Sequence, residues 1–167
     1  MTNQQLPTND LPEIELSDFE KHPKRFLNKK LIAKVVFFIP LLIAIIVSSF
    51  FIELDDFLVY AIPSWLVLFI LILFVAYKEF FVRGYVLREH DITYKRGWLF
   101  HHQITVPFNR IQHTDINHGP IDRWFNLCEL EIFTAGGSSS DLSISGLDPD
   151  HAARIKKYIS SKSSLHV

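Results

Sequence analysis

Residues 35–52, VVFFIPLLIAIIVSSFFI, and residues 57–77, FLVYAIPSWLVLFILILFVAY, decide the fold of this chain. The first run is apolar apart from Ser48 and Ser49, the second apart from Ser64. A hydrocarbon core of roughly 30 Å is crossed by about 20 helical residues, so each run can span a bilayer. Between them stands Glu53-Leu54-Asp55-Asp56. A single helix through lipid would bury those three carboxylates, at about 2.5–3.5 kcal/mol each. A single core helix of a soluble protein would run far beyond ordinary globular lengths. The two runs therefore read as a hairpin of transmembrane helices, with its turn at 53–56 in water. No Asp, Glu, Lys, Arg or His lies inside either run, so no proton or ion relay is suggested. Pro40 and Pro63 are tolerable there, because membrane helices re-satisfy the freed carbonyls locally.

The flanking charges orient the hairpin. Lys21, Lys24, Arg25, Lys29, Lys30 and Lys34 precede it, Lys78, Arg83 and Arg88 follow it, and the connecting loop has no Lys or Arg. The positive-inside rule puts both termini in the cytoplasm and the acidic turn outside. The apolar run begins some 30 residues in, lacks a small-x-small cleavage site and is followed at once by a second run, which argues against a cleaved signal peptide. A formal net charge of -1, with the basic residues crowded at the membrane boundary, argues against a nucleic-acid arm. The lone Cys128 cannot form an internal disulfide, in keeping with a reducing compartment. Its alternating context makes it an inward-facing, inert strand thiol.

Beyond residue 80 the pattern changes. Trp98, Phe100, Ile104, Val106 and Phe108 fall on even positions, with His101, Gln103, Thr105 and Asn109 between them. A period of two predicts one long half-buried strand. Val86, Ile92 and Tyr94 belong to shorter flanking strands, with turns at 89–91 and 95–97, the latter using Gly97 at positive φ. Residues 111–116 read as a further strand and 121–127 as a single-turn segment. Cys128, Leu130 and Ile132 alternate with Glu129 and Glu131. Residues 135–138 (AGGS) turn the chain, and Leu142 and Ile144 return it. Asp148 then caps a helix with Pro149 at its first position and a narrow stripe of Ala152, Ile155 and Ile159. The expected fold is a membrane α-hairpin followed by a small antiparallel β sandwich or barrel of six or seven strands, one end or face closed by a C-terminal helix. By residue number, 1–30 is an N-terminal segment, partly disordered, that includes a modest amphipathic approach to the membrane interrupted at His22-Pro23. The hairpin is 31–80, the cytoplasmic domain 81–160 and the tail 161–167. A domain of about 80 residues buries only a modest core, so packing against its own membrane helices or a partner is expected.

Strands followed by one amphipathic helix is the pleckstrin-homology (PH) order. Tyr85-Val86-Leu87, Gly97-Trp98, Val106-Pro107, Arg110-Ile111-Gln112, Trp124-Phe125-Asn126-Leu127, Thr134-Ala135-Gly136-Gly137 and Ser145-Gly146-Leu147 occur in order along the chain. In these residues, and in the paired membrane helices, it resembles the bacterial PH-like membrane proteins of the YdbS type, the bacterial PH domain 2 family. Asn126 departs from the pattern, since Gly is expected at that turn. The resemblance implies a PH-like barrel on the cytoplasmic side of an inner membrane and no established catalytic activity. It also implies a partner, a larger membrane protein holding several such domains; self-association is the other option.

The residues themselves advertise little chemistry. His101 and His102 are adjacent on a strand and point to opposite faces, and no Cys or carboxylate spacing completes a metal site. Gly136-Gly137-Ser138-Ser139-Ser140 has neither the strand–elbow–helix frame of a serine nucleophile nor the Lys of a phosphate loop. No cofactor and no small-molecule substrate is evident. Two surfaces are candidates. Arg110, Gln112, Arg123 and Trp124 carry residue types enriched at protein-contact hot spots, although Ile111, Trp124 and Phe125 could equally complete the barrel core. Lys29, Lys30, Lys34, Lys78, Arg83, Arg88, Lys95 and Arg96 are candidates for anionic lipid headgroups. Among these, Arg88, Lys95 and Arg96 lie where eukaryotic PH domains hold inositol phosphates. The leading expectation is a noncatalytic interaction or scaffold subunit, ahead of a headgroup sensor and then an enzyme.

Overall fold

A computed structural model describes residues 19–51, 56–135 and 140–163. Two helices come first, α1 (Lys24–Ser48) and α2 (Phe57–Val82). At 1.5 Å per residue, each is about 37–39 Å long. Both present apolar side chains outward along their length, among them Val36, Phe37, Val59 and Val67, as helices facing lipid do. They meet through rings: Phe38 of α1 lies 5.3 Å from Phe69 and 6.1 Å from Trp65 of α2. The spans' serines return their hydroxyls to their own helices, Ser48 to the Ile45 carbonyl at 2.8 Å and Ser64 to that of Tyr60 at 2.7 Å. That satisfies polar groups which lipid cannot.

The helix limits differ from those expected. Helix α1 starts at Lys24, directly after Pro23, and not at residue 35. The basic approach segment is itself helical because Phe26 and Leu27 have the domain to pack against. Its described end is Ser48, short of residue 52. Helix α2 continues past residue 77 to Val82, where Ala76 and Phe80 are buried. Most of the 53–56 turn and residues 1–18 of the segment expected to be partly disordered fall outside the described residues, as do 136–139 and 164–167.

Among the described residues six strands follow in two antiparallel sheets, ordered β1-β2-β3 and β4-β5-β6. They are β1 (Gly84–Leu87), β2 (Asp91–Arg96), β3 (His102–Pro107), β4 (Ile111–Asn117), β5 (Cys128–Thr134) and β6 (Leu142–Leu147). The first sheet starts directly after α2's C-cap, Arg83, so β1 leads away from the end of α2 and the antiparallel β2 returns to it. Its register pairs Gly84 with Lys95 and Leu87 with Ile92. Alternation holds where it was read: Ile92 and Tyr94, then Leu130 and Ile132, then Leu142 and Ile144 face inward and are buried. Thr93 and Thr105, partners across β2 and β3, join hydroxyls at 2.9 Å. A short helix, α3 (Pro120–Trp124), connects β4 to β5.

The long strand expected over residues 98–109 is not formed. Only β3 is extended, and Phe108–Arg110 closes a 3-10 turn. Gly97 adopts φ +88, and a side chain there would collide with the Phe100 carbonyl. The chain therefore reverses through Trp98, Leu99 and Phe100, which leave the barrel wall; Ile104, Val106 and Phe108 keep the inward alternation. Helix α4 (Pro149–Ser163) packs across β4, β5 and the 3-10 turn and runs into what was read as the 161–167 tail. Its stripe of Ala152, Ile155 and Ile159 is buried. The Asp148 carbonyl accepts from Ala152 N at 2.8 Å and its carboxylate from Asp150 N at 3.1 Å.

Candidate functional site

The chemically dense region is the junction where the barrel meets the inner ends of α1 and α2. It is built from the residues just before α1. Glu20 exchanges backbone hydrogen bonds with Tyr85, 2.8 and 3.2 Å long, and so extends the edge of β1. This carries His22 into a box of rings, 5.1 Å from Phe26, 5.8 Å from Tyr85 and 6.1 Å from Tyr94. His22 is only 5% exposed. Burial holds its pKa down to about 4, and the nearby Arg83 and Lys30 cations push the same way. The Gly146 backbone offsets part of this but does not complete a well-formed hydrogen bond. Burial also raises the Tyr85 hydroxyl above its ordinary range, helped by its 2.8 Å bond to the Glu20 carboxylate.

One turn further on, Phe26 fills a small second core with Phe80 and Leu127, flanked by Leu27 and Phe125. It takes a side chain from each helix and from the barrel, so the domain is docked onto the hairpin. Ion pairs ring this core. Arg25 pairs with Asp148 at the start of α4, and Lys29 with Asp122 of α3. Lys30 reaches Glu79 of α2 at 2.9 Å. Arg83 pairs with the same Glu79 and donates to the Tyr94 hydroxyl at 3.2 Å. The first three tie α1 to the domain or to α2, and the Arg83–Glu79 pair spans one turn at the end of α2.

This pairing divides the headgroup candidates. Lys29, Lys30 and Arg83 are held inside the junction. Lys95 is half-buried, with its ammonium 4.2 Å over the Phe19 ring. Arg88 follows the end of β1 away from α2, about 13 Å of strand from the hairpin. Lys34, Lys78 and Arg96 are exposed near the lipid boundary.

The protein-contact candidates also divide. Arg110 and Gln112 lie at the start of β4, while Arg123 and Trp124 lie in α3, beyond its other end. The strand keeps the two pairs roughly 17 Å apart or more; they do not form one patch. Trp124 does not complete the core: it is 85% exposed, and Ile121 beside it is exposed too. Phe125 and Ile111 do pack inward. Cys128 is fully buried, and burial together with the Asp122 charge pushes its thiol up to about 11, which makes it a poor nucleophile.

Sequence reasoning missed His22 and Glu79, and met Gly146 only as part of a family motif. His22-Pro23 reads as an interruption, although a Pro immediately before a helix is also a start signal. Glu79 with Arg83 was legible as an i,i+4 pair. Nothing local marks Gly146, whose role depends on a ring that is distant in sequence.

Two apolar helices long enough to span a membrane, docked to a two-sheet domain closed by one helix, define a membrane-anchored PH-like protein. The chain belongs to the bacterial PH domain family, whose model, described as "Bacterial PH domain", matches residues 31–163. It is similar to the UPF0699 transmembrane protein YdbS of Bacillus subtilis (strain 168), 33% identical over 76 residues. That match covers 46% of this chain and 46% of the relative. No solved structure matches it significantly.

Proposed function

We propose that this is a noncatalytic integral protein of a bacterial inner membrane, with both ends cytoplasmic, whose PH-like domain docks another membrane protein. The observation that carries the reading is Trp124, an 85% exposed tryptophan on a helix tied to α1 through Asp122 and Lys29. Lys29 precedes the apolar run by six residues, about 9 Å along the helix. Trp124 therefore stands in the aqueous layer beside the membrane, where a neighbour's cytoplasmic domain passes. Exposed Trp next to Arg is the composition of an interface hot spot. Anchoring both partners in one plane raises their effective concentration without further contacts. The partner class that suits this arrangement is a larger membrane protein with several PH-like domains; self-association is the other candidate. The test is co-purification of such a partner from crosslinked native membranes. Wild-type protein retains it, and Trp124→Ala reduces it at least tenfold with the fold intact. A sample containing only monomer, or equal recovery with Trp124→Ala, overturns the reading.

A headgroup sensor is the second reading, favoured by one cleft of about 420 Å³ between α2 and the β2–β3 turn, lined by Glu79, Arg83, Arg96, Trp98 and His102. Arg83 already serves Glu79, which leaves Arg96 and His102 to meet a phosphate. Thermal stabilisation in nanodiscs by one anionic lipid, surviving high salt and lost in Arg96→Gln, supports the sensor. Stabilisation that any anionic lipid gives and salt abolishes counts against it.

A further inference from the structure

Outside the two long helices and the residues that end them, the described residues expose large apolar side chains at only two places, Ile121 with Trp124 and Leu99 with Phe100. The second place has a different neighbour. Trp98, which begins the β2–β3 turn, sets its ring edge-to-face on Phe74, with centroids 5.9 Å apart. Phe74 lies inside the apolar run of α2, one turn deeper than Lys78, whose ammonium sits 5.4 Å over the same ring. A lysine at that position marks the headgroup level, and one turn of helix is about 5.4 Å. The ammonium reaches back to the level of that ring, so the Trp98 contact holds the turn at the lipid boundary.

The turn itself is shaped for this. Gly97 at φ +88 brings the Phe100 carbonyl back against it, so Leu99 and Phe100 are carried at the tip of a tight reversal. They are 66% and 74% exposed. Arg96 stands just behind them, exposed, as a cation at the headgroup layer above an apolar wedge. A hairpin tip that continues the lipid-facing belt of α2 has the same solvent as that belt.

We propose that Trp98, Leu99 and Phe100 insert into the bilayer leaflet on the domain's side, as a third membrane contact beside α1 and α2. The occupant of this apolar tip is lipid acyl chain. The insertion locks the barrel's orientation on the membrane: the junction at Phe26 fixes one side, and the tip fixes another.

The experiment uses the full chain in phosphatidylcholine vesicles, with a bimane label at Leu99→Cys or Phe100→Cys. The buried Cys128 leaves the new thiol as the reactive one, and unlabelled wild-type protein checks this. Asn109→Cys, exposed in the 3-10 turn that follows β3, at the other end of that strand from the tip, is the reference. With doxyl groups placed high on the acyl chains, emission from positions 99 and 100 falls by at least half, while that from position 109 is unchanged. Both substitutions are at exposed sites, so either suffices if the other fails to fold. Quenching at 99 and 100 no greater than at 109 overturns the proposal and assigns the tip to a protein partner instead.

Discussion

The ring of Phe26 in α1 occupies the space that a side chain at position 146 in β6 would fill. Gly146 also holds φ +82, and a Cβ there would run into that ring. The two residues fix how closely the barrel sits on the hairpin. Gly146→Ala incurs both a left-handed backbone cost of about 1–2 kcal/mol and overpacking of about 1–3 kcal/mol. The expected outcome is a marked fall in the thermal midpoint of the full chain in detergent, with α1's first turn becoming protease-sensitive. A variant as stable and as protected as wild type would show that Phe26 is not held there.

Glu79 is the shared acid of Lys30 and Arg83, and the three side chains are between 14% and 26% exposed. Removing one member of a partly buried ionic group leaves the others uncompensated. Glu79→Gln is expected to destabilise by about 1–3 kcal/mol, while the exposed and unshared Lys34→Gln stays within about 0.5 kcal/mol. Denaturant titration of both variants in the same detergent separates them; equal effects would mean that the Glu79 cluster is only surface charge.

His22 makes the junction acid-sensitive. Its folded pKa, about 4, lies below the ordinary 6.5, so the unfolded state takes up the proton first as the pH falls. The stabilisation is complete above about 6.5, declines between 6.5 and 4, and changes no further below that. The full difference is about 3 kcal/mol, at 1.36 kcal/mol per pKa unit. Comparing wild type with His22→Phe at pH 7.5 and pH 4.5 isolates this group from the carboxylates. Wild type should lose about 2–3 kcal/mol more than the variant; parallel losses would remove His22 from the account.

What was legible in the sequence was whatever depends on period and composition. The two apolar runs, the inward faces of β2, β5 and β6, and the capped stripe of α4 all follow from local pattern; the structure forms each of them, with the two helices shifted in their limits. What was not legible depends on contacts between distant segments. Trp98 and Phe100 fit the alternation of β3, but Gly97 and the Phe74 ring draw the turn off the wall. The basic residues before residue 35 read as one headgroup-facing cluster. Asp122 and Glu79 claim Lys29 and Lys30, and only the folded chain brings those acids near. Trp124 could be core or surface on local evidence, because a five-residue helix has no periodicity long enough to choose.

Asn126 is where the chain departs from the glycine its resemblance leads one to expect, and the backbone explains both residues. Asn126 has φ 51, the one positive value at a non-glycine position among the described residues. It ends α3, donating its backbone N–H to the Arg123 carbonyl at 3.2 Å, while Leu127 N returns to the Asp122 carbonyl at 2.9 Å. Gly and Asn are the residues that enter the left-handed region at least cost. Its side chain is exposed, so substitution reports the backbone alone. Asn126→Gly is expected to leave stability within about 0.5 kcal/mol, and Asn126→Val to cost about 1–2 kcal/mol. If valine were tolerated as well as glycine in urea unfolding, the left-handed turn that places Trp124 outward and Leu127 inward would not be the conformation of this segment.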